Sequence, residues 1–331
     1  MLAPTLVVFG QLSDRFGRRP VLLAGLAVAV GGLALFAVAD GIGWLFAARA
    51  AQGVSVGVVN GAAVAALVEL EPDRDHHQAA LMSGLAQAGG SAAGAVIAGT
   101  LAQWAPHRLV LCYLVGIGLT VLAALYVLAI PESAPSGGRW RIQRPGVPEE
   151  IRSEFTRVSL TAAAVWSVAG LFFSVVPTYA GKLLHSHDLA LLAVIAATLL
   201  TASTAVQPLA LRRIRHRQPV GLGLLAVGLV MLVVAFPLGS LEALLAAGVL
   251  AGSGHGIAFL GAQADLNRIA PDARRGEVSA AFAVFIYLGV ATAVIGVGLL
   301  ALVVSLFAAV GVFAAVIGGT ALAAAAWHLA T

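Results

Sequence analysis

Charge is scarce in this chain. Asp, Glu, Lys and Arg make up 10% of its 331 residues, against about a quarter in soluble domains, which excludes an ordinary water-soluble fold. Cysteine is nearly absent as well. Cys112 stands alone inside an apolar run, so no intrachain disulfide can form, and it reads as a small packing residue. The sequence has no Walker-type loop, no nucleophile elbow and no paired carboxylate within an apolar run. ATP drive and intramembrane hydrolysis are therefore unsupported.

What the chain does have is long apolar sequence: 60% hydrophobic residues and a mean hydropathy of +0.98. Ten complete apolar runs are present: Pro20 to Ala39, Trp44 to Val68, Ala79 to Gln103, Leu109 to Ile130, Val158 to Ala180, Leu189 to Leu211, Pro219 to Leu238, Leu241 to about Gly261, and two within Val278 to Trp327. Each approaches the roughly 20 residues needed to cross a hydrocarbon core about 30 Å thick, where helices satisfy their own backbone hydrogen bonds. The fold class read from this pattern is an all-α polytopic membrane protein. Met1 to Leu12 lacks the basic start and small-residue cleavage site of a signal peptide and reads as the end of one more helix. Glu132 to Arg157 is the longest polar stretch and reads as a linker, within which Glu149 to Arg157 could form a short surface helix.

A pI of about 9.8 invites a nucleic-acid reading, but the positive charges fall in short loops between apolar runs rather than on one soluble face. With the loop at Asp14 to Arg19 placed inside, only Arg49, Arg108 and Lys182 of the 19 Lys and Arg residues fall on or toward the outer side. Membrane topology explains that asymmetry. It puts the linker in the cytoplasm of a protein of the plasma or inner membrane, and nucleic acid is not a partner. Sliding the chain on itself by 199 positions aligns Pro20 with Pro219, Arg18 with Arg217, Gly53 with Gly252, Gly57 with Gly256 and Pro72 with Pro271, the mark of an internal repeat.

Between the short first run and the first complete one lies Gly10-Gln11-Leu12-Ser13-Asp14-Arg15-Phe16-Gly17-Arg18-Arg19. This Gly-x-x-x-Asp-Arg-x-Gly-Arg-Arg spacing resembles, at each defining position, the loop between the second and third helices of the major facilitator superfamily of transporters. The resemblance implies two six-helix bundles related by a pseudo-twofold repeat, here about 11 helices with the first absent. Residues 1–130 would form the N-terminal bundle, 131–157 the cytoplasmic linker and 158–331 the C-terminal bundle. It also implies a conformational network in which Asp14 and Arg18 pair with an acid at the inner end of the fourth helix, where Glu69 stands. Gly10 and Gly17 would allow a turn and close helix approach. Arg15, Arg18 and Arg19 also read simply as topology signals, which Asp14 does not, because acids contribute little to orientation.

Two further stretches carry the same likeness. Arg49-Ala50-Ala51-Gln52-Gly53 resembles the family's fourth-helix pattern Arg-x-x-Gln-Gly. At about 100° per residue Arg49, Gln52 and Asn60 share one face, which either lines a wet cavity or lets Arg49 snorkel to the interface near Trp44. Gly90 to Gly99 resembles the fifth-helix motif of exporters, with Ala95 and Ala98 where proline and often glycine are usual. Gly90, Gly94 and Gly99 also fit a generic helix-packing face.

Acids are missing from the middle of every complete run, so proton coupling would need a residue elsewhere or a histidine. His255 is the only histidine well inside a run. It is a cavity and coupling candidate with an unperturbed pKa near 6.5, or a neutral histidine bonded to a neighbouring helix. The pairs His76-His77 and His185-x-His187-Asp188 lack a third ligand at useful spacing, so no metal and no cofactor is expected. The resulting expectation is a monomeric secondary transporter, not an enzyme, that moves a small organic solute by alternating access, coupled to protons, with efflux of drugs or metabolites preferred. The alternative is a non-transporting membrane fragment or interaction protein.

Overall fold

A computed structural model of the chain describes residues 16–70, 76–131, 146–271 and 274–330. Among them are eleven α-helices: α1 (Arg18–Ala37), α2 (Ile42–Leu70), α3 (His76–Trp104), α4 (Arg108–Ala129), α5 (Arg152–Ser174), α6 (Val176–Leu184), α7 (Leu189–Arg213), α8 (Arg217–Leu238), α9 (Leu241–Ile269), α10 (Arg275–Leu300) and α11 (Leu306–Ala330). Ten of the helices are long and apolar enough to cross a membrane; α6 is not. Apolar side chains such as Leu114, Leu119, Leu125 and Tyr126 of α4 are exposed, which suits a solvent of lipid and not of water.

The internal repeat shows in helix boundaries. A shift of 199 carries the starts of α1, α2 and α3 onto those of α8, α9 and α10, and α4 onto α11 to within a residue or two. Neighbours repeat too: α1 packs on α2 and α4, and α8 packs on α9 and α11.

Several boundaries differ from the sequence expectation. Glu149–Ile151 forms a 3-10 turn that runs directly into α5, so Glu149 to Arg157 is the beginning of a long helix and not a separate surface helix. That helix ends at Ser174, short of Ala180. The chain resets at Val175, and Pro177, which has no N–H to give, sits in the first turn of α6. Helix α9 continues two turns past Gly261 to Ile269, because Asp265 and Arg268 lie on its polar C-terminal end without breaking it.

Packing divides the chain into two compact units, one of Met1–Gly84 with Leu101–Pro145 and the other of Leu85–Thr100 with Gly146–Thr331. In the first, Val21 and Leu22 of α1 are buried with Val58 and Ala62 of α2. The buried hydroxyl of Ser55 donates to the Gly25 carbonyl at 2.8 Å, a polar tie between two apolar helices.

The second unit is organised around α9. Its small residues let two neighbours approach on different faces: a methyl group at Gly254 would lie 2.6 Å from the Gly221 carbonyl oxygen of α8, and one at Gly256 would lie 2.5 Å from the Ser203 carbonyl oxygen of α7. Neither position has room for a Cβ. The surrounding core includes Phe172, Ile195, Leu199, Leu222, Leu225, Leu229 and Leu244, all nearly inaccessible, together with Ala88 and Ala92 of α3. Burial between helices in lipid gains from close packing rather than from removal of water, which is why small residues concentrate there.

Candidate functional site

Gly10, Asp14 and Arg15 lie outside the described residues. Gly17, which leads into α1, has φ 93° and ψ 157°, a backbone state essentially reserved for glycine. The motif's second glycine thus meets a conformational demand. Arg18 and Arg19 open α1 and line a small crevice with Ala66 of α2 and Val127, Ile130 and Pro131 at the end of α4. Glu69 lies in the last turn of α2, less than one helical turn beyond Ala66, so the backbone brings the arginines and the C-terminal end of α2 to one region.

Arg49 sits two turns into α2. Its guanidinium donates to Gln52 Oε1 at 3.0 Å and lies 5.3 Å from the centre of the Phe36 ring of α1, which stacks in turn on Tyr113 of α4 at 5.3 Å. The cation rests on an aromatic pair and remains exposed. Asn60, about three turns beyond Arg49, is half-buried.

His255 is 2% exposed, inside the second unit. Its Nδ1 is 2.9 Å from the Ser203 hydroxyl of α7, and Gln207, one turn on, donates to that same hydroxyl at 3.4 Å. Trp166 of α5 meets the imidazole edge-on at 5.2 Å, and Phe259 stacks at 5.9 Å. The imidazole Nε2 and the Trp166 indole N–H are buried with no hydrogen-bond partner among the described residues. His255 therefore turns toward α7 and α5, and the Arg49 guanidinium reaches α1. At the shift of 199 Arg49 corresponds to Gly248, where a methyl group would meet Thr198 of α7 and Phe172 of α5, so Arg49 and His255 start from corresponding faces of α2 and α9.

Of the three glycines on α3, Gly99 is in close contact: a methyl group there would collide with Ala193 and the Leu189 carbonyl of α7. At Gly90 and Gly94 a methyl group would meet nothing within 4 Å, so these two are not contact points in this conformation. Asp188 of the His185-x-His187-Asp188 stretch caps α7 by accepting from the N–H groups of Ala190 and Leu191 at 2.9 and 3.1 Å.

Two features had no counterpart in the sequence reading. At the end of the second unit where α5 begins and α9 finishes, Glu154 of α5 pairs with Arg268 of α9 and, at 3.7 Å, with Arg157. Asp265 accepts from Gln218 of α8 at 2.6 Å and pairs with Arg268 at 3.5 Å, and Thr161 bonds His328 of α11 at 3.1 Å. Four helices are tied there. The three-residue spacings of Glu154 with Arg157 and of Asp265 with Arg268 were the available signal. The second feature is a cleft of about 670 Å³ walled by α5, α10 and α11. Ser167 and Thr320 line it, but their hydroxyls donate to their own helices, to the carbonyls of Ala163 and Val316. Its wall thus offers chiefly apolar surface.

Comparison with known proteins accounts for this architecture. The family model of the Major Facilitator Superfamily matches residues 1–294. The class C tetracycline resistance protein of Escherichia coli is 38% identical over 123 residues, 37% of this chain and 30% of that protein. A cephamycin export protein of Amycolatopsis lactamdurans is 36% identical over 152 residues, 44% of this chain and 30% of that protein. The matched stretch thus spans less than a third of the length of either relative. Among solved structures, a peptide transporter superposes with a TM-score of 0.75 at 15% identity, covering 99% of this chain and 83% of that one. The human organic anion transporter MFSD10 gives 0.72 at 17% identity, covering 99% and 81%. At such identities the likeness shows the fold alone. Residue match, helix count and fold agree: this multi-pass membrane protein belongs to the Major Facilitator Superfamily, a family of transporters and not of enzymes.

Proposed function

We propose that the protein is a secondary active exporter of a small, largely apolar organic solute, working as a monomer of the inner membrane with its 131–157 linker in the cytoplasm. The observation that carries the reading is the 36–38% identity, over more than a third of the chain, to a resistance protein and an antibiotic exporter. The apolar cleft of the second unit suits the same class of solute. Residues 1–130 and 158–331 are proposed as the two bundles that alternate access. The Gly10, Asp14, Arg15, Gly17, Arg18, Arg19 and Glu69 set biases that alternation without binding solute.

Coupling to protons is assigned to His255. Its Nε2 has no hydrogen-bond partner among the described residues, and the groups in contact with it, on Ser203, Trp166 and Phe259, are neutral. A charge at this imidazole has no counter-charge beside it, so proton uptake and the opening of these helix contacts to water would occur together. Export of tetracycline or a cephamycin from cells expressing the protein, measured against external pH with and without a protonophore, tests the reading. Export that collapses with the proton gradient and loses its pH profile in His255→Gln is expected. A wild-type profile in that variant removes His255 from coupling, and export indifferent to the protonophore removes proton drive altogether.

A further inference from the structure

The arginines on the inner side of the chain are not all alike. Arg152 pairs with Glu149 at 3.4 Å, Arg274 with Glu277 at 2.8 Å, and Arg268 with both Glu154 and Asp265. The turn between α7 and α8 is different. From Leu189 to Leu241 the sequence contains no Asp or Glu, yet it places Arg212, Arg213, Arg215 and Arg217 within six residues at the tip of the α7–α8 hairpin. Arg217 is committed: its guanidinium donates to the carbonyls of Ala210 and Leu211 at 3.4 and 3.1 Å, closing the end of α7 and holding the turn. Arg212, Arg213 and Arg215 are exposed and pair with no carboxylate among the described residues. The carboxylate that α9 brings to neighbouring Gln218 is that of Asp265, which is already taken by Gln218 and Arg268.

Below this turn both helices present apolar side chains outward: Leu209 on α7, and Val220 and Val227 on α8, are all about half exposed. Three guanidinium groups without a carboxylate partner among the described residues therefore stand at the turn that joins two helices with exposed apolar side chains. We propose that this turn is a binding site for one anionic phospholipid of the inner leaflet. The headgroup phosphate would be held by Arg212, Arg213 and Arg215, and the acyl chains would lie along Leu209, Val220 and Val227. Guanidinium forks match phosphate oxygens bidentately. A juxtamembrane basic residue contributes roughly a fivefold gain in affinity for an anionic membrane surface, at about 1 kcal/mol each. The positive-inside rule explains why these residues are inside, but it does not require that this hairpin alone be left without an acid.

The test uses the purified full chain, stripped of lipid in neutral detergent and mixed with equimolar phosphatidylglycerol and phosphatidylcholine. Bound lipid is counted by native mass spectrometry. The wild type is expected to retain phosphatidylglycerol with at least roughly tenfold preference. Arg212→Gln/Arg213→Gln/Arg215→Gln should lose that preference, and Arg152→Gln/Arg274→Gln, which removes two charges from paired positions, should keep it. Replacing the same three residues by lysine should also largely keep it, which separates lost charge from misfolding. An excess of inorganic phosphate should not displace the lipid, since the apolar wall holds its chains. No preference in the wild type, or equal loss in the paired-arginine control, overturns the proposal. Displacement by phosphate alone would make the turn a free-anion site and overturn it as a lipid site.

Discussion

Replacing Gly254 by alanine adds one methyl group at the contact between α8 and α9. That methyl would lie 2.6 Å from the Gly221 carbonyl oxygen and 2.8 Å from Leu225 Cα, closer than such atoms pack. The obstructing atoms are backbone, so no side chain can swing aside, and the helices must part by something approaching 1 Å. A gap of about 0.5–1 Å forfeits a quarter to a half of each dispersion contact it opens. The pairs opposed along the same seam, Gly221 with Ala258 and Gly228 with Ala251, open with it. Overpacking of this kind costs roughly 1–3 kcal/mol, and the rigid backbone on both sides argues for the upper end. For a unit of about 200 residues, 3 kcal/mol lowers the midpoint by roughly 6–12 °C. The matched control is Gly223→Ala on α8, where a methyl group meets nothing within 4 Å; there the gain in helix propensity, up to about 1 kcal/mol, should leave stability unchanged or slightly raised. Thermal unfolding of the two purified variants in one detergent reads the difference. A Gly254→Ala midpoint no lower than that of Gly223→Ala would refute the account of α9 as a helix seated by close backbone contact.

Two shorter predictions follow from charge. Glu154→Gln should destabilise the second unit more than Arg268→Gln: each removes two ion pairs, but the second residue affected is Arg157, 14% exposed, in the one case and Asp265, 35% exposed, in the other. A double-mutant cycle between Glu154 and Arg268 should give a coupling of about 0.5–1 kcal/mol, as expected of a half-exposed pair, and a null coupling would remove this bridge from the network where α5 begins and α9 finishes. In a Cys112→Ala background, an impermeant thiol reagent added to intact cells should label a cysteine at Ser186 and spare one at Ser136; equal labelling would overturn the orientation read from the arginines.

Much of the architecture was legible in the sequence because lipid enforces a simple rule: a segment that crosses must be long, apolar and helical. The ten runs and the shift of 199 therefore survive almost intact in the helices. What was not legible is which face of each helix meets which neighbour. Hydropathy is nearly uniform around a buried transmembrane helix, so the usual amphipathic signal vanishes. Orientation passes instead to the distribution of glycine and alanine. His255 shows the consequence. The repeat aligns it with Val56, yet Val56 is 43% exposed and His255 is 2% exposed. His255 is covered by α5 and α7, whose counterparts at the shift of 199 fall before residue 15, outside the described residues. The cover depends on small residues: His255 stands between Gly254 and Gly256, whose bare backbones admit α8 and α7. A methyl group at Gly256 would collide with the Ser203 carbonyl, so Gly256→Ala should push α7 from α9 and open the 2.9 Å contact between Ser203 and His255. Peptide mapping after treatment with diethyl pyrocarbonate should then find His255 modified faster in Gly256→Ala than in Gly223→Ala; equal protection in the two would refute the account.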